Sequence, residues 1–403
     1  MRDHELHSSK QPRKESSLET RPATSSSAPN EGDGYHSASA SLYSGSTPRM
    51  HQPSVTSPPP QTISLPPIQG TMGAGHTFDD DFDAHTEADA DSAYDSESLI
   101  GGDTVTLASY ITDYKYENGR RYHSYRDGSY WGPNDEHGNE IQDLAHHMYL
   151  ITLGGKLHLA PITEPHNILD VGTGTGIWAI DMADAYPSAQ VIGTDLSPIQ
   201  PDFIPPNCTF EIDDVTMEWT YPRDHFDFVH IREMFGSVPD WQYLFKQAYK
   251  HVKPGGWVEI VEHSVEPISD DGTVGPDHFY TLWGKTVIEC GEKFGKSFRI
   301  WKDAKEYMEK AGFVDIVEVR YKWPMNGWPL DPKLKEIGRW NQLRLHDGVE
   351  GFMLRLLTMA LNWSYERAQL FLAEMRRTLK DTSTHAYLPG TVVYGRKPLV
   401  SRT

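Results

Sequence analysis

Cysteine is almost absent from this 403-residue sequence: there are two, Cys208 and Cys290, far apart and without a CxxC partner. That count excludes a disulfide framework and a cysteine-built zinc site, and no metal site is expected. It also points to a reducing compartment, nucleus or cytoplasm. Basic charge is scarce: Lys plus Arg total 37 against 57 Asp plus Glu, a formal net charge of −20. Such a balance disfavours a broad phosphate-binding surface, so no direct contact with nucleic acid is expected. No run of about 18 apolar residues occurs, which leaves out a transmembrane helix and a membrane partner. Residues 1–19 carry no apolar h-region, so no secretory signal is expected. Large apolar side chains are few as far as about residue 105. Prolines cluster there at 53, 58–60, 66 and 67, and residues 79–97 hold nine acids and no Lys or Arg. A segment of that kind repels itself and buries little, so a disordered tail is expected over 1–105. Lys10, Arg13 and Lys14 form a weak basic cluster of the nuclear-address kind.

From residue 106 the texture is that of a folded chain. Residues 141–158 have the apolar spacing of an amphipathic helix. Short apolar runs follow at 167–171, 190–195, 209–213, 226–231 and 256–262. Helical patterns lie between them at 176–185 and 241–251. Strands alternating with helices predict a parallel sheet covered on both faces. Pro254-Gly255-Gly256 reads as a turn between helix and strand. Beyond residue 265 helices are expected at 278–294, 304–311, 334–344 and 365–379, with two more strands at 314–323 and 385–396.

The sharpest motif is Asp170-Val171-Gly172-Thr173-Gly174-Thr175-Gly176, at the end of an apolar strand and the start of a helix. Glycines at that junction let the backbone turn tightly and let a ligand approach it, while the exposed amides favour an anionic group. A P-loop would end in Gly-Lys-Ser/Thr, and Ile177-Trp178 stands there instead. A dinucleotide loop would have glycine at position 177. The remaining class binds S-adenosyl-L-methionine through an acid followed by Gly-x-Gly-x-Gly, which Asp170, Gly172, Gly174 and Gly176 fill, with Thr173 inside the loop. The next strand ends in Asp195, 25 residues after Asp170. An acid there can accept both ribose hydroxyls; the plain alternative is a cap for the following turn. Leu196 beside it is placed to pack on adenine. The third strand ends at Asp213-Asp214-Val215. Asp214, with Asp213 close behind, is expected to accept the adenine amino group, and the Val215 amide to meet a ring nitrogen; turn formation is the alternative. The fourth strand runs through His230 into Arg232 and Glu233, which the switch-point rule puts beside the cofactor crevice. Arg232 is counted with the cofactor-binding residues. No catalytic residue is singled out. Candidates for a general base are His146, His147, His230, Glu233, Glu262 and His263. Tyr122, Tyr125, Tyr130 and Trp131 form an aromatic group suited to a flap over cofactor or acceptor.

Residues 170–178, 191–201, 226–232 and 244–262, with Pro206-Asn207-Cys208 and the upstream Glu117-Asn118-Gly119-Arg120-Arg121-Tyr122-His123, resemble the LaeA-like fungal methyltransferases. The resemblance runs from about residue 110 to 397. It implies an α/β, doubly wound, seven-stranded and mostly parallel sheet of the class I methyltransferase kind, Rossmann-like, with its last two strands antiparallel. The domain would occupy 106–400, with its core at 165–265 and added helices as a cap at about 275–380. S-adenosyl-L-methionine is the implied cofactor, and the implied partner is a methyl acceptor, small molecule or protein. Some members of the family resemble nuclear regulators of secondary metabolism that work with velvet-domain proteins; others methylate small molecules. The motifs are common to both branches. A scaffold that keeps the fold and acts through partners is the other reading.

Overall fold

The computed structural model describes residues 114–399 apart from 127 and 129. The expected disordered tail and the cluster Lys10, Arg13, Lys14 lie outside the described residues. The first described element is a hairpin, β1 (Lys115–Glu117) paired with β2 (Arg120–Tyr122). Asn118-Gly119 joins them with positive φ at both positions, the two-residue turn whose twist matches a hairpin.

Helix α1 (Glu136–Leu153) starts on Asp135, whose side chain accepts the Gly138 amide. It stops at Gly154 and Gly155, both left-handed, so the helix ends five residues before the expected residue 158. Then come β3 (Asn167–Val171), α2 (Ile177–Ala185), β4 (Gln190–Asp195), β5 (Cys208–Ile212), β6 (Phe226–Arg232), α3 (Trp241–His251) and β7 (Val252–His263). The expected alternation of strand and helix is present. Pro254-Gly255-Gly256 does not precede a strand as expected; it forms an irregularity inside β7, where the register with β6 jumps from Phe226↔Val252 to Phe228↔Trp257. The last part comprises α4 (Phe279–Phe294), α5 (Ile300–Ala311), β8 (Val314–Pro324), α6 (Pro332–Arg355), a π-helical turn (Leu356–Ala360), α7 (Tyr365–Thr378) and β9 (Tyr387–Arg396).

Seven strands form one sheet in the order β5-β4-β3-β6-β7-β9-β8. The first five are parallel, and β9 runs antiparallel to both β7 and β8. The sheet is the doubly wound, mostly parallel one expected. Its central strands are buried on both faces: Ile168 and Phe228 pack with α2, while Leu169, Val171, Val229 and Ile231 join the larger core beneath α1, α3 and the later helices. The chain leaves β3 toward β4 and β5, then returns to place β6 on the other side of β3. The crevice opens at the carboxyl ends on either side of that reversal.

Helix α6 is 24 residues long, against an expectation of 334–344. Its extension carries Gly348 and Gly351, which serve close packing here. A Cβ on Gly348 would press on Ile141 of α1. Gly338, earlier in the same helix, lies so close to Asn326 that a Cβ would overlap its carbonyl oxygen. Asn326 is itself buried and tied to the carbonyls of Leu379 and Asp381, so the backbone has nowhere to go. Gly338→Ala is expected to cost about 2 kcal/mol by overpacking, despite alanine's better helix propensity. Urea denaturation would measure it.

Candidate active site

The strand β3 ends where its hydrogen-bonding edge gives way to the glycine loop. Gly172, Gly174 and Gly176 all take positive φ, at 71°, 58° and 79°. The loop is held from behind by Asp170. One carboxylate oxygen accepts the Thr173 hydroxyl at 2.7 Å and the other accepts His230 Nδ1–H at 2.8 Å. All three side chains are buried. His230 stacks on Trp178 with ring centroids 3.7 Å apart, and burial holds its pKa down at about 4 despite the Asp170 contact. The imidazole is thus neutral, with Nε2 free of any hydrogen bond among the described residues. Asp170→Ala would strand two buried donors, and a destabilisation of about 2–4 kcal/mol is expected in chemical denaturation.

Above the loop lies a cavity of about 310 Å³, within the range of small-ligand sites. Gly172, Thr173, Gly174, Asp195, Leu196, Asp213, Asp214, Val215 and Arg232 all line it. Asp170 and Gly176 do not: the first braces the loop from below, and the second starts α2 against the ring of Phe210. So tips of four strands converge on one space. Asp195 accepts the Gly174 amide at 2.9 Å and the Ser197 amide at 3.0 Å. Burial pushes its pKa up to about 6, against those amide bonds. Asp214 spends one oxygen on Thr216 and the other on Arg126. Asp213 accepts only the Asp214 amide among the described residues, and burial, with Asp214 and Glu211 nearby, raises its pKa.

The opposite wall comes from two places. The segment after β2 contributes Tyr130, Trp131 and Asn134; Asn134 donates to Ser197 at 3.2 Å, and Arg355 holds the Tyr130 carbonyl at 3.0 Å. Tyr122 is packed in the core and Tyr125 is exposed, so half of the aromatic group borders the cavity. Helix α6 contributes Arg344, Gly348, Gly351 and Phe352. The α6 residues were not legible in the sequence. The Gly-x-x-Gly spacing of Gly348 and Gly351, starting four residues after Arg344, was the available signal.

The candidate bases separate clearly. His147 is exposed against the edge of Trp340. His146 is occupied by Asp181 and Arg232. Glu262 is fully buried, accepts the Met234 amide at 2.8 Å, and burial raises its pKa well above the carboxylate range. Glu233 follows β6 at a positive φ of 51° and reaches the cavity. Its Oε1 accepts Tyr149 at 3.0 Å and Arg344 at 2.6 Å, with His263 Nε2 at 3.3 Å. Burial would raise its pKa, but Arg344, His263 and Arg232 more than offset this and keep it ionised.

A glycine-rich strand–helix loop at the switch point of a mixed seven-stranded sheet, with acids at the next two strand ends, defines a class I methyltransferase. A methyltransferase-domain family profile matches residues 144–318. The chain is 40% identical over 297 residues to methyltransferase pytC of Aspergillus terreus, covering 73% of this chain and 91% of that protein. It is 39% identical to secondary metabolism regulator LAE1 of Cochliobolus heterostrophus, covering 70% and 94%. It is 33% identical to protein-methionine methyltransferase laeA of Emericella nidulans, covering 70% and 76%. The chain belongs to this LaeA-like family of fungal methyltransferases, and its cofactor is S-adenosyl-L-methionine. The residues present fit that group: bare glycine backbone and a partly buried carboxylate face a space of suitable size.

Proposed function

We propose that this protein transfers a methyl group from S-adenosyl-L-methionine, held across the tips of β3, β4 and β5, to a small molecule of secondary metabolism. The observation that carries the reading is the cavity that joins the glycine loop and Asp195 to the wall of α6. Bound there, the cofactor supplies an electrophilic methyl group on a sulfonium with a good leaving group. The protein's work is then orientation and exclusion of water. Asp195 would accept the ribose hydroxyls. Leu196 and Val215 would flank the adenine. Asp213, with an oxygen to spare, is better placed than Asp214 to accept the adenine amino group. The Gly172–Gly174 backbone would lie along the amino-acid end, and Arg232 would attract its carboxylate. Glu233, ionised and fixed by three partners, is the carboxylate within reach of a proton leaving an acceptor.

The name of methyltransferase pytC supports an enzyme, that of protein-methionine methyltransferase laeA an enzyme acting on protein, and that of secondary metabolism regulator LAE1 a regulator, for which velvet-domain partners and a nuclear location are the corresponding expectations. The formed cavity favours an enzyme over a scaffold. Metabolite profiling of a deletion strain separates the branches. Loss of one methylated product, restored by wild type but not by a cofactor-blind variant, is the outcome expected here. Broad change across unrelated products would replace the pathway enzyme with the regulator.

A further inference from the structure

A second, smaller cavity of about 50 Å³ adjoins the first. Trp131, Phe235, Arg344 and Phe352 line both, so one wall serves two spaces. Its volume suits about one six-membered ring, since a water needs roughly 10–15 Å³ on the same measure. The lining is aromatic and aliphatic apart from Arg344 and His263. Trp131 stacks near Phe235 at 6.1 Å and tilts against Phe298 at 6.0 Å, and Val287 and Leu388 complete the apolar surface. Such walls suit a flat apolar ring.

One feature of this wall is polar and incomplete. The Arg344 side chain is 2% exposed. Its Nη2 donates to Glu233, while Nε and Nη1 are buried without a hydrogen-bond partner among the described residues. A guanidinium cannot shed its charge, and buried unpaired donors are costly. The Glu233 carboxylate is already shared with Tyr149 and His263. Arg232, the other guanidinium at this wall, turns to His146 and the Tyr149 ring. Burial raises the pKa of Glu262 well above the ordinary carboxylate value, which disfavours a second negative charge here. With Arg232 turned to His146 and given to the cofactor's carboxylate, the shared Glu233 carboxylate leaves two nitrogens of Arg344 unmet among the described residues, and an anion would complete the arrangement.

We propose that the smaller cavity and Arg344 form the acceptor site, and that the acceptor is a small aromatic molecule bearing a carboxylate. The ring fills the space between Trp131, Phe235 and Val287, and the carboxylate takes the free nitrogens of Arg344. This rests on the reading of the strand tips as the donor site, which is tested separately by calorimetry with S-adenosylhomocysteine.

The probes are benzoate and its neutral counterpart benzamide, followed by ligand-observed NMR on the full chain saturated with S-adenosylhomocysteine. Benzoate is expected to bind at least about tenfold more tightly than benzamide. Val287→Phe, which fills the ring space from α4, should abolish binding of both probes while S-adenosylhomocysteine still binds. Arg344→Met combined with Glu233→Gln removes both charges without stranding either, and should bring benzoate down to the benzamide level while the ring still binds. Equal binding of the two probes by wild type overturns the proposal. So does undiminished benzoate affinity in Val287→Phe, or an undiminished preference in the double variant. Failure of S-adenosylhomocysteine to bind wild type would instead remove the donor reading.

Discussion

Replacing Gly174 with valine is expected to lower the affinity for S-adenosylhomocysteine by at least about a hundredfold, or about 2.7 kcal/mol. Gly174 sits at φ 58° at the bend of the loop, where a β-branched residue is strongly disfavoured. Its added Cβ would also overlap the Gln142 side chain, which lines the same cavity. Both effects act on the stretch of backbone that must come within contact distance of the ligand. Neither reaches the sheet core, so the thermal midpoint should fall by only a few degrees. Calorimetry reads the affinity and a melting curve reads the fold. Near-wild-type affinity in a folded Gly174→Val variant would show that the cofactor does not lie along this loop.

Acidification should weaken cofactor binding through Asp195. Its pKa of about 6 means that the carboxylate is ionised at pH 7 and mostly protonated at pH 5. A protonated acid loses acceptor capacity, so affinity for S-adenosylhomocysteine should fall about tenfold between those values. Asp195→Asn should bind about 10–100 times more weakly at pH 7, the weight of a charge-assisted hydrogen bond, with a flat profile down to pH 5. Asp213→Asn, by contrast, should keep the slope. The effect on stability has the opposite sign. A folded pKa raised above the unfolded value of 3.8 gives stability that is complete below about pH 4 and is lost as pH rises through about 6. Asp195→Asn lifts that penalty at pH 7 but leaves either the Gly174 or the Ser197 amide facing an NH2 group, so the readout is the loss of pH dependence in its melting point rather than a higher value. A pH-independent wild-type affinity would remove Asp195 from the ligand site.

The two halves of the site differed in how readable they were. The glycine loop and the strand-end acids are local: a turn, a neighbouring side chain and a helix start are all fixed by residues close in sequence. Their convergence on one cavity followed from alternation of strand and helix, because parallel strands put their carboxyl ends on one side. Some local readings needed correction by packing. The helix expected to reach residue 158 stops at Gly154-Gly155, since left-handed backbone ends it. Helix α6 runs through Gly348 and Gly351, because there the missing side chains admit α1 and Arg120.

The sequence by itself determined the sheet, the loop, and which acids end which strands, because period and turn chemistry act over a few residues. Only the tertiary structure decided that Asp170 faces away from the cavity, that Asp213 keeps a free oxygen where Asp214 does not, and that Arg344 meets Glu233 across 111 positions of sequence. Those outcomes depend on which buried donors and acceptors find each other once distant segments pack. No short-range pattern encodes that pairing.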